Sequence, residues 1–549
     1  MGTISNGILF TGGSVFDGTR FLAPGTRVLV ADGKISAVGT DVEPGAAEIV
    51  DLDGGTLLPG FIDAHAHPVS GGLQLLGCNL AEGSDAAAYL DIVARFAAAN
   101  PGLEWITGSG WDLTAFPGGI PSRQALDSVV PGRPVFLYNR DHHGAWANSK
   151  ALELAGIDRR TPDPADGRIE RDAGGEPVGM LQEGAMQLVS RLVPETTEED
   201  KYRGLLAAQD YLLSLGVTGW QDAIVGPGYA SIDGSTDAYL RAASAGTLIV
   251  DVVGAQWWQR DEGLEQLEGL LYYREQNAAG RFRPTSVKMM LDGIAENHTA
   301  AMLAPYLDHD GCATGNSGLD FIDPGELPRY VTALDQAGFQ VHFHALGDRA
   351  VRNALDAVEA ARAARPGSAR ETWIRHHLAH LQVVHPDDIP RFAALGATAN
   401  LQMLWATNEE QMTELTIPFL GAARAAWQYP FAQLTASGAH LAGGSDWPVS
   451  SPDPLLAIHV AVNRALPETA GNPFLPRQAI ARRTALAAYT SGTARINGVA
   501  ASAGSVTAGY DASLAVTDAD LATIPDAEIC QASVTQTWVR GELARTAAR

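Results

Sequence analysis

The sequence predicts an α/β fold: a (β/α)8 TIM barrel, a small β-sandwich domain formed by both termini, and an inserted lid subdomain. Three observations predict it. Eight short apolar stretches alternate with helix-like segments through the middle of the chain, the order of a parallel barrel. Both ends are rich in strands and turns. One long segment near the start of the alternation does not fit the repeat.

Residues 1–58 read as short strands. ILFTGGSVFDG, TRVLVADGKISAVG and EIVDLDGGTLLPG carry β-branched or apolar runs broken by Gly or Asp-Gly. Residues 496–549 have the same character in SVTAGYDASLAVTD and ASVTQTWVRGELA, so the two ends are expected to form one composite β-sandwich. The barrel, residues 59–495, opens on GFIDAHAHP at 60–68. In an extended strand, residues two apart face the same side, so His65 and His67 can converge on one point. Residues 69–190, rich in Gly, Pro and Trp, interrupt the first β/α unit. An insertion there lies over the C-terminal ends of the strands, where barrel chemistry is done, and is expected to act as a lid. The later strands are expected at 216–222, 249–255, 286–291, 339–344, 377–381, 397–401 and 440–446. Helices such as DRAVRNALDAVEAARAARP lie between them, and a last one falls near 478–495.

At 549 residues the chain exceeds one simple core, and its 46% apolar and 18% charged content fits a soluble globular protein. A formal charge of −25 lacks the basic footprint that nucleic acid or an anionic membrane requires. Cys78, Cys312 and Cys530 form no CxxC pair, so neither a disulfide framework nor a cysteine zinc site is expected. No apolar run approaches the ~20 residues of a membrane span, and MGTISNGILFTGG has no signal-peptide pattern. The expectation is a cytoplasmic protein acting on a small-molecule substrate.

Several strand ends carry chemistry. His65 and His67 close the first strand, His344 ends FQVHFHALGD, His380 ends RHHLAHLQ, and Asp446 ends HLAGGSDWP. Lys288 lies within the apolar SVKMML. Neutral imidazole and carboxylate are the donors a borderline ion such as zinc prefers. One strand-end His is ordinarily a hydrogen-bonded structural residue, and a Lys in an apolar strand ordinarily snorkels. The combination points to a metal. Spacing does not choose between His342 and His344, or among His376, His377 and His380.

DAHAH, VK, HALGDRAV, AHLQ and GGSDWPV, in that order and with WANSKALELAGI inside the insertion, resemble the amidohydrolase superfamily. The resemblance is to its amidohydrolase 3 branch, which includes the YtcJ-like proteins and N-substituted formamide deformylase. It implies a barrel with metal at the strand ends, and His65, His67, Lys288, His344, His380 and Asp446 as ligands. The implied cofactor is a divalent metal: two zinc ions bridged by a carboxylated Lys288, with iron or manganese as substitutes, or a single ion as in mononuclear members, which keep the HxH pair, a later His and the Asp. Burial and nearby cations lower a lysine pKa, and a neutral amine can add carbon dioxide. A hydroxide shared by two metals is a good nucleophile near neutral pH, and Asp446 would act as general base and then acid. In DHHGAWANS the family role falls on His143, reaching the substrate or its oxyanion; His142, where relatives carry Gly, is expected at the surface. Ala379 stands where relatives often have Glu. Glu183, Asp292, His298, Trp111 and Trp447 are candidate substrate contacts; Glu183 and Asp292 are equally candidates to support a metal-binding side chain or the local structure.

The implied reaction is hydrolysis of a C–N bond of amide type in a small molecule, an N-substituted formamide or N-acyl amine with a hydrophobic group. The same site would also serve a cyclic amide, a carbamate, an ester or deamination of a heterocycle. A non-catalytic barrel scaffold is the rival of a different class. A homodimer is compatible with the resemblance.

Overall fold

The computed structural model describes residues 7–226, 228–229, 232–365 and 376–547. Eight strands form one sheet: β1 (Phe61–Ala66), β2 (Val217–Val225), β3 (Asp251–Trp257), β4 (Phe282–Met290), β5 (Gln340–Ala345), β6 (His377–His380), β7 (Thr398–Leu401) and β8 (His440–Gly443). Each pairs in parallel with the next, in chain order, as in a TIM-like barrel. Every residue of β1, β2, β5, β6 and β7 is buried, as a parallel sheet covered on both faces requires.

Three strands differ from expectation by three or more positions; β2 runs on to Val225, past the expected end at 222. β4 begins at Phe282, four positions earlier than the apolar run alone suggested, because Phe282 and Arg283 already pair with Val252 and Val253 of β3. β8 stops at Gly443, and residues 444–446 are not strand. A Cβ on Gly444 would meet His65 Cβ and two polar side chains at 2.8–2.9 Å, and Asp446 has a φ of 59°. The chain turns there under a crowded rim.

Among the described residues no ladder joins β8 to β1; a seam closes the barrel instead. The Asp446 amide donates to His65 O at 2.7 Å, and the His67 amide donates to Trp447 O at 2.7 Å. Asp63, on β1, accepts from the Ser445 amide at 3.0 Å and from Ser445 Oγ at 2.5 Å.

The helix Pro68–Leu76 follows β1 directly, so the expected insertion start at 69 falls inside a helix of the barrel's outer layer. Gly72 lets it lie against the helix Glu198–Ser214: a Cβ there would be 1.8 Å from Gly204 O. Between these helices, residues 78–183 supply a separate six-stranded sheet. Its strands lie in the order Gly167–Arg171, Pro177–Glu183, Gly144–Ala147, Val135–Asn139, Ile106–Trp111, Cys78–Asn79. Trp111, Trp146 and Leu137 pack in a core of its own.

Strands near both termini form two further sheets, of four and five strands. In the second, Thr56–Pro59 pairs antiparallel with Leu514–Thr517. Phe10, Val28, Leu57, Leu514 and Trp538 share one apolar cluster, so both ends of the chain contribute to the same core. Among the described residues no helix is long and apolar enough to cross a membrane.

Candidate metal centre

β1 brings His65 and His67 to the same side, and the turn after β8 brings Asp446 between them. His65 Nε2 and His67 Nε2 each lie 3.1 Å from Asp446 Oδ1, without hydrogen-bond geometry. Donors around a tetrahedral ion at about 2.0–2.2 Å stand roughly 3.3–3.6 Å apart, so these pairs sit a few tenths of an ångström closer than a bound ion would hold them. His380, at the end of β6, places Nδ1 3.8 Å from Asp446 Oδ2, and neither of its buried ring nitrogens makes a hydrogen bond. His65, His380 and Asp446 each present a donor atom within 4.8 Å of the others. Buried nitrogens left unbonded beside a carboxylate fit a metal.

Lys288, on β4, points Nζ to within 3.4 Å of His65 Nε2. Burial pushes its ammonium down to about 7. His344, on β5, stands edge-on to His380 with ring centroids 4.5 Å apart, and its Nε2 is 3.4 Å from Gly293 O. His344 lies outside the tight three-residue group. Burial, reinforced by the neighbouring Lys288, lowers His65 to about 3, and burial also holds His344 and His380 well below the ordinary imidazole value. Burial alone would raise Asp446, but the surrounding imidazoles, His65 foremost, reverse this and keep it well below a normal carboxylic acid. Neutral rings and an ionised carboxylate are the protonation states that ligands need.

The ambiguous histidines separate by depth. His342 lies one layer below His344, its Nε2 2.8 Å from His65 Nδ1, where it fixes the tilt of that ring. His377 packs on His342 with centroids 4.1 Å apart, while His376 turns outward to Asp335 at 3.2 Å. Asp63 accepts from the His65 amide at 2.9 Å, and Gln402 Oε1 accepts from the His380 amide at 2.6 Å. The period-two spacing from Asp63 to His65 was a signal for the first; nothing local marked the second.

A cavity of about 90 Å³ encloses this centre, lined by His65, His67, Lys288, His344, His380 and Asp446. The insertion adds Asp141, His142, His143 and Glu183 to its lining. His143 sits in the turn before Gly144–Ala147 and Glu183 ends Pro177–Glu183; His143 Nδ1 lies 2.9 Å from Glu183 Oε1. Burial alone would lower His143, but Glu183 raises it to about 9. Asn297 Nδ2 and Thr299 Oγ1 also donate to Glu183, at 2.8 and 3.3 Å.

Other candidates fall elsewhere. His142 lines the cavity instead of the surface, stacked on Tyr138 at 5.6 Å. Asp292 does not line it but stands beside His344, its Oδ1 3.9 Å from that ring's Nε2; the buried carboxylate also accepts from the amides of Ala301, Leu346 and Gly347, which pins the turn after His344. His298 packs between Tyr306 and Phe419, away from the cavity, because its turn carries the ring outward. Trp111 is fully buried, its indole donating to Leu137 O. Trp447 borders an adjoining larger cleft. His142, Glu183, His380 and Asp446 all have left-handed φ, from 50° to 80°, which non-glycine residues adopt at a cost.

The amidohydrolase family profile matches residues 48–544. The chain belongs to the amidohydrolase family. It is 32% identical over 502 residues to Protein LONG AFTER FAR-RED 3 of Arabidopsis thaliana, covering 89% of this chain and 83% of that one. It is 30% identical over 547 residues to N-substituted formamide deformylase of Arthrobacter pascens, covering 94% of each. A crystal structure of an uncharacterized metal-dependent hydrolase from Pyrococcus horikoshii superposes with a TM-score of 0.71 at 25% identity, over 95% of this amidohydrolase and 99% of that chain.

Proposed function

We propose that this amidohydrolase cleaves the C–N bond of a small amide, an N-substituted formamide or N-acyl amine. One observation carries the reading: His65, His67, His380 and Asp446 converge, beside a buried lysine, in a cavity too small for a whole drug-sized molecule. At about 90 Å³ the cavity is well below the roughly 300–1,000 Å³ of such pockets. It suits a formyl or other short acyl group. The likeness to a formamide deformylase along 94% of both chains supports the same choice.

In this reading His65, His67, Lys288, His344, His380 and Asp446 hold two divalent ions, zinc by donor type, with iron or manganese as substitutes. When bound, the metal supplies Lewis acidity and a water acidified towards neutral pH. Lys288, brought down to about 7 by burial, has the neutral amine that adds carbon dioxide and becomes an oxygen ligand. Asp446 takes a proton from the attacking water and returns it to the leaving amine. His143, kept cationic by Glu183, donates to the carbonyl oxygen as negative charge grows there. Residues 78–183 act as the lid that carries His143, and residues 1–58 with 496–549 form the composite β-sandwich beside the barrel.

Metal analysis with a screen of amides, carbamates and esters tests this. Bound zinc, iron or manganese and amine release from amides alone are expected. Absence of any metal-restored hydrolysis sinks the reading, and hydrolysis confined to esters, carbamates or heterocyclic amines moves it to another bond.

A further inference from the structure

Beside the metal cavity runs a larger cleft of about 580 Å³. Asp141, Pro448 and Val449 line both spaces. Trp405 stands at the partition, with His380 stacked on its ring at 5.2 Å and only 4° from parallel. A substrate with its acyl group among the histidines has this cleft as the space for its amine portion.

The lining of the cleft is predominantly acidic. Six carboxylates, among them Asp141, Glu296 and Glu409, face a single guanidinium, Arg140. Arg140 is already engaged by Asp112 at 2.7 Å and Glu409 at 3.7 Å. Among the described lining residues there is no Lys and no His. Glu296 accepts from Gln382 Nε2 at 3.2 Å and Thr416 Oγ1 at 3.0 Å, both neutral donors, and burial holds its pKa up. Gln382, 1% exposed, directs its amide nitrogen to Glu296 and leaves its buried Oε1 without a hydrogen bond. Buried acceptors in native proteins are normally paired, by protein, water or ligand, so this carbonyl offers a bound N–H an acceptor inside the cleft. Trp405, Trp447 and Tyr429 add aromatic side chains to the same wall, a surface that favours cations.

We infer that the cleft binds a cationic group on the amine side of the substrate, so that the preferred amides are short N-acyl derivatives of diamines. The ammonium lodges against Glu296 and the free Gln382 carbonyl. This rests on the reading of the metal cavity as an amide hydrolase. The reaction is simple hydrolysis: water adds to the acyl carbon, the C–N bond breaks, and the leaving nitrogen takes the proton, giving a carboxylic acid and a diamine.

The test compares N-formylcadaverine with N-hexylformamide, in which a methyl group replaces the distal ammonium. The expected kcat/KM is about tenfold or more higher for the ammonium substrate, falling with added salt. Glu296→Gln and Glu409→Gln are each expected to shrink that ratio, with melting curves reporting that the fold is kept. Equal or reversed preference in the wild type, or a ratio retained in both variants, overturns the inference. If neither formamide is cleaved, the amide reading fails separately. Calorimetric titration of the protein as purified with pentylamine and with pentanol then decides the cleft alone. Tighter binding of the amine, lost in Glu296→Gln, upholds it; no discrimination overturns it.

Discussion

Asp446 carries a charge that burial opposes and the surrounding imidazoles sustain. Asp446→Asn keeps the shape and removes the proton acceptor, so kcat is expected to fall about 10²–10⁴-fold with circular dichroism unchanged; a scaffold would lose nothing. His143 is opposite in sign. Its folded-state pKa is raised to about 9 from an ordinary 6.5, so the folded state binds the extra proton. The stability from the Glu183 pair is therefore complete below about pH 6.5 and is lost as pH rises through about 9. Melting of metal-stripped wild type and Glu183→Gln should differ most at mildly acidic pH and converge in alkaline buffer. A constant gap would show that the pair does not titrate. At this scale the sequence was legible where residues repeat along one strand. His65 and His67 announce themselves by period two. The Glu183 partner does not, because two strands forty residues apart must pair before it faces His143. Nor do the left-handed backbones of His380 and Asp446, which only the folded rim imposes. Asp292 resembled a pocket carboxylate because a sequence does not display the three amides it accepts from.

The eight strands were readable because buried parallel strands are apolar throughout, and helical stretches separate them. The helix Pro68–Leu76 was not, because paired glycines lower helix propensity and Gly71-Gly72 reads as a loop. Those glycines serve packing instead. Gly71 faces the Trp447 ring, where a Cβ would come within 2.6 Å, and Gly72 faces the Gly204 backbone. Gly72→Ala, otherwise favourable for a helix, is expected to destabilise by about 1–3 kcal/mol, since backbone cannot yield as a side chain can. Urea unfolding measures it; a neutral or stabilised variant would mean that the helices separate freely.

Across the whole molecule, barrel order is what turns scattered histidines into one centre. Composition argued against a nucleic-acid footprint, yet it gave no hint that acidic residues gather in one cleft. That depends on loops from the barrel and the insertion meeting. Removing metal with a chelator is expected to abolish turnover and lower the melting temperature, with both restored by zinc, because an ion bound only by the folded state stabilises it by mass action. The seam gives this a particular location. Asp63 and Ser445, 382 positions apart, and the backbone of His65, His67, Asp446 and Trp447 fasten the first strand to the last. The same short stretches carry the proposed metal donors, so a bound ion would act as a rivet through the joint that, among the described residues, has no strand ladder. Without it, the amides of His67 and Asp446 should exchange with deuterium sooner than those inside β4 and β5, and the ring would begin to open at its own active centre.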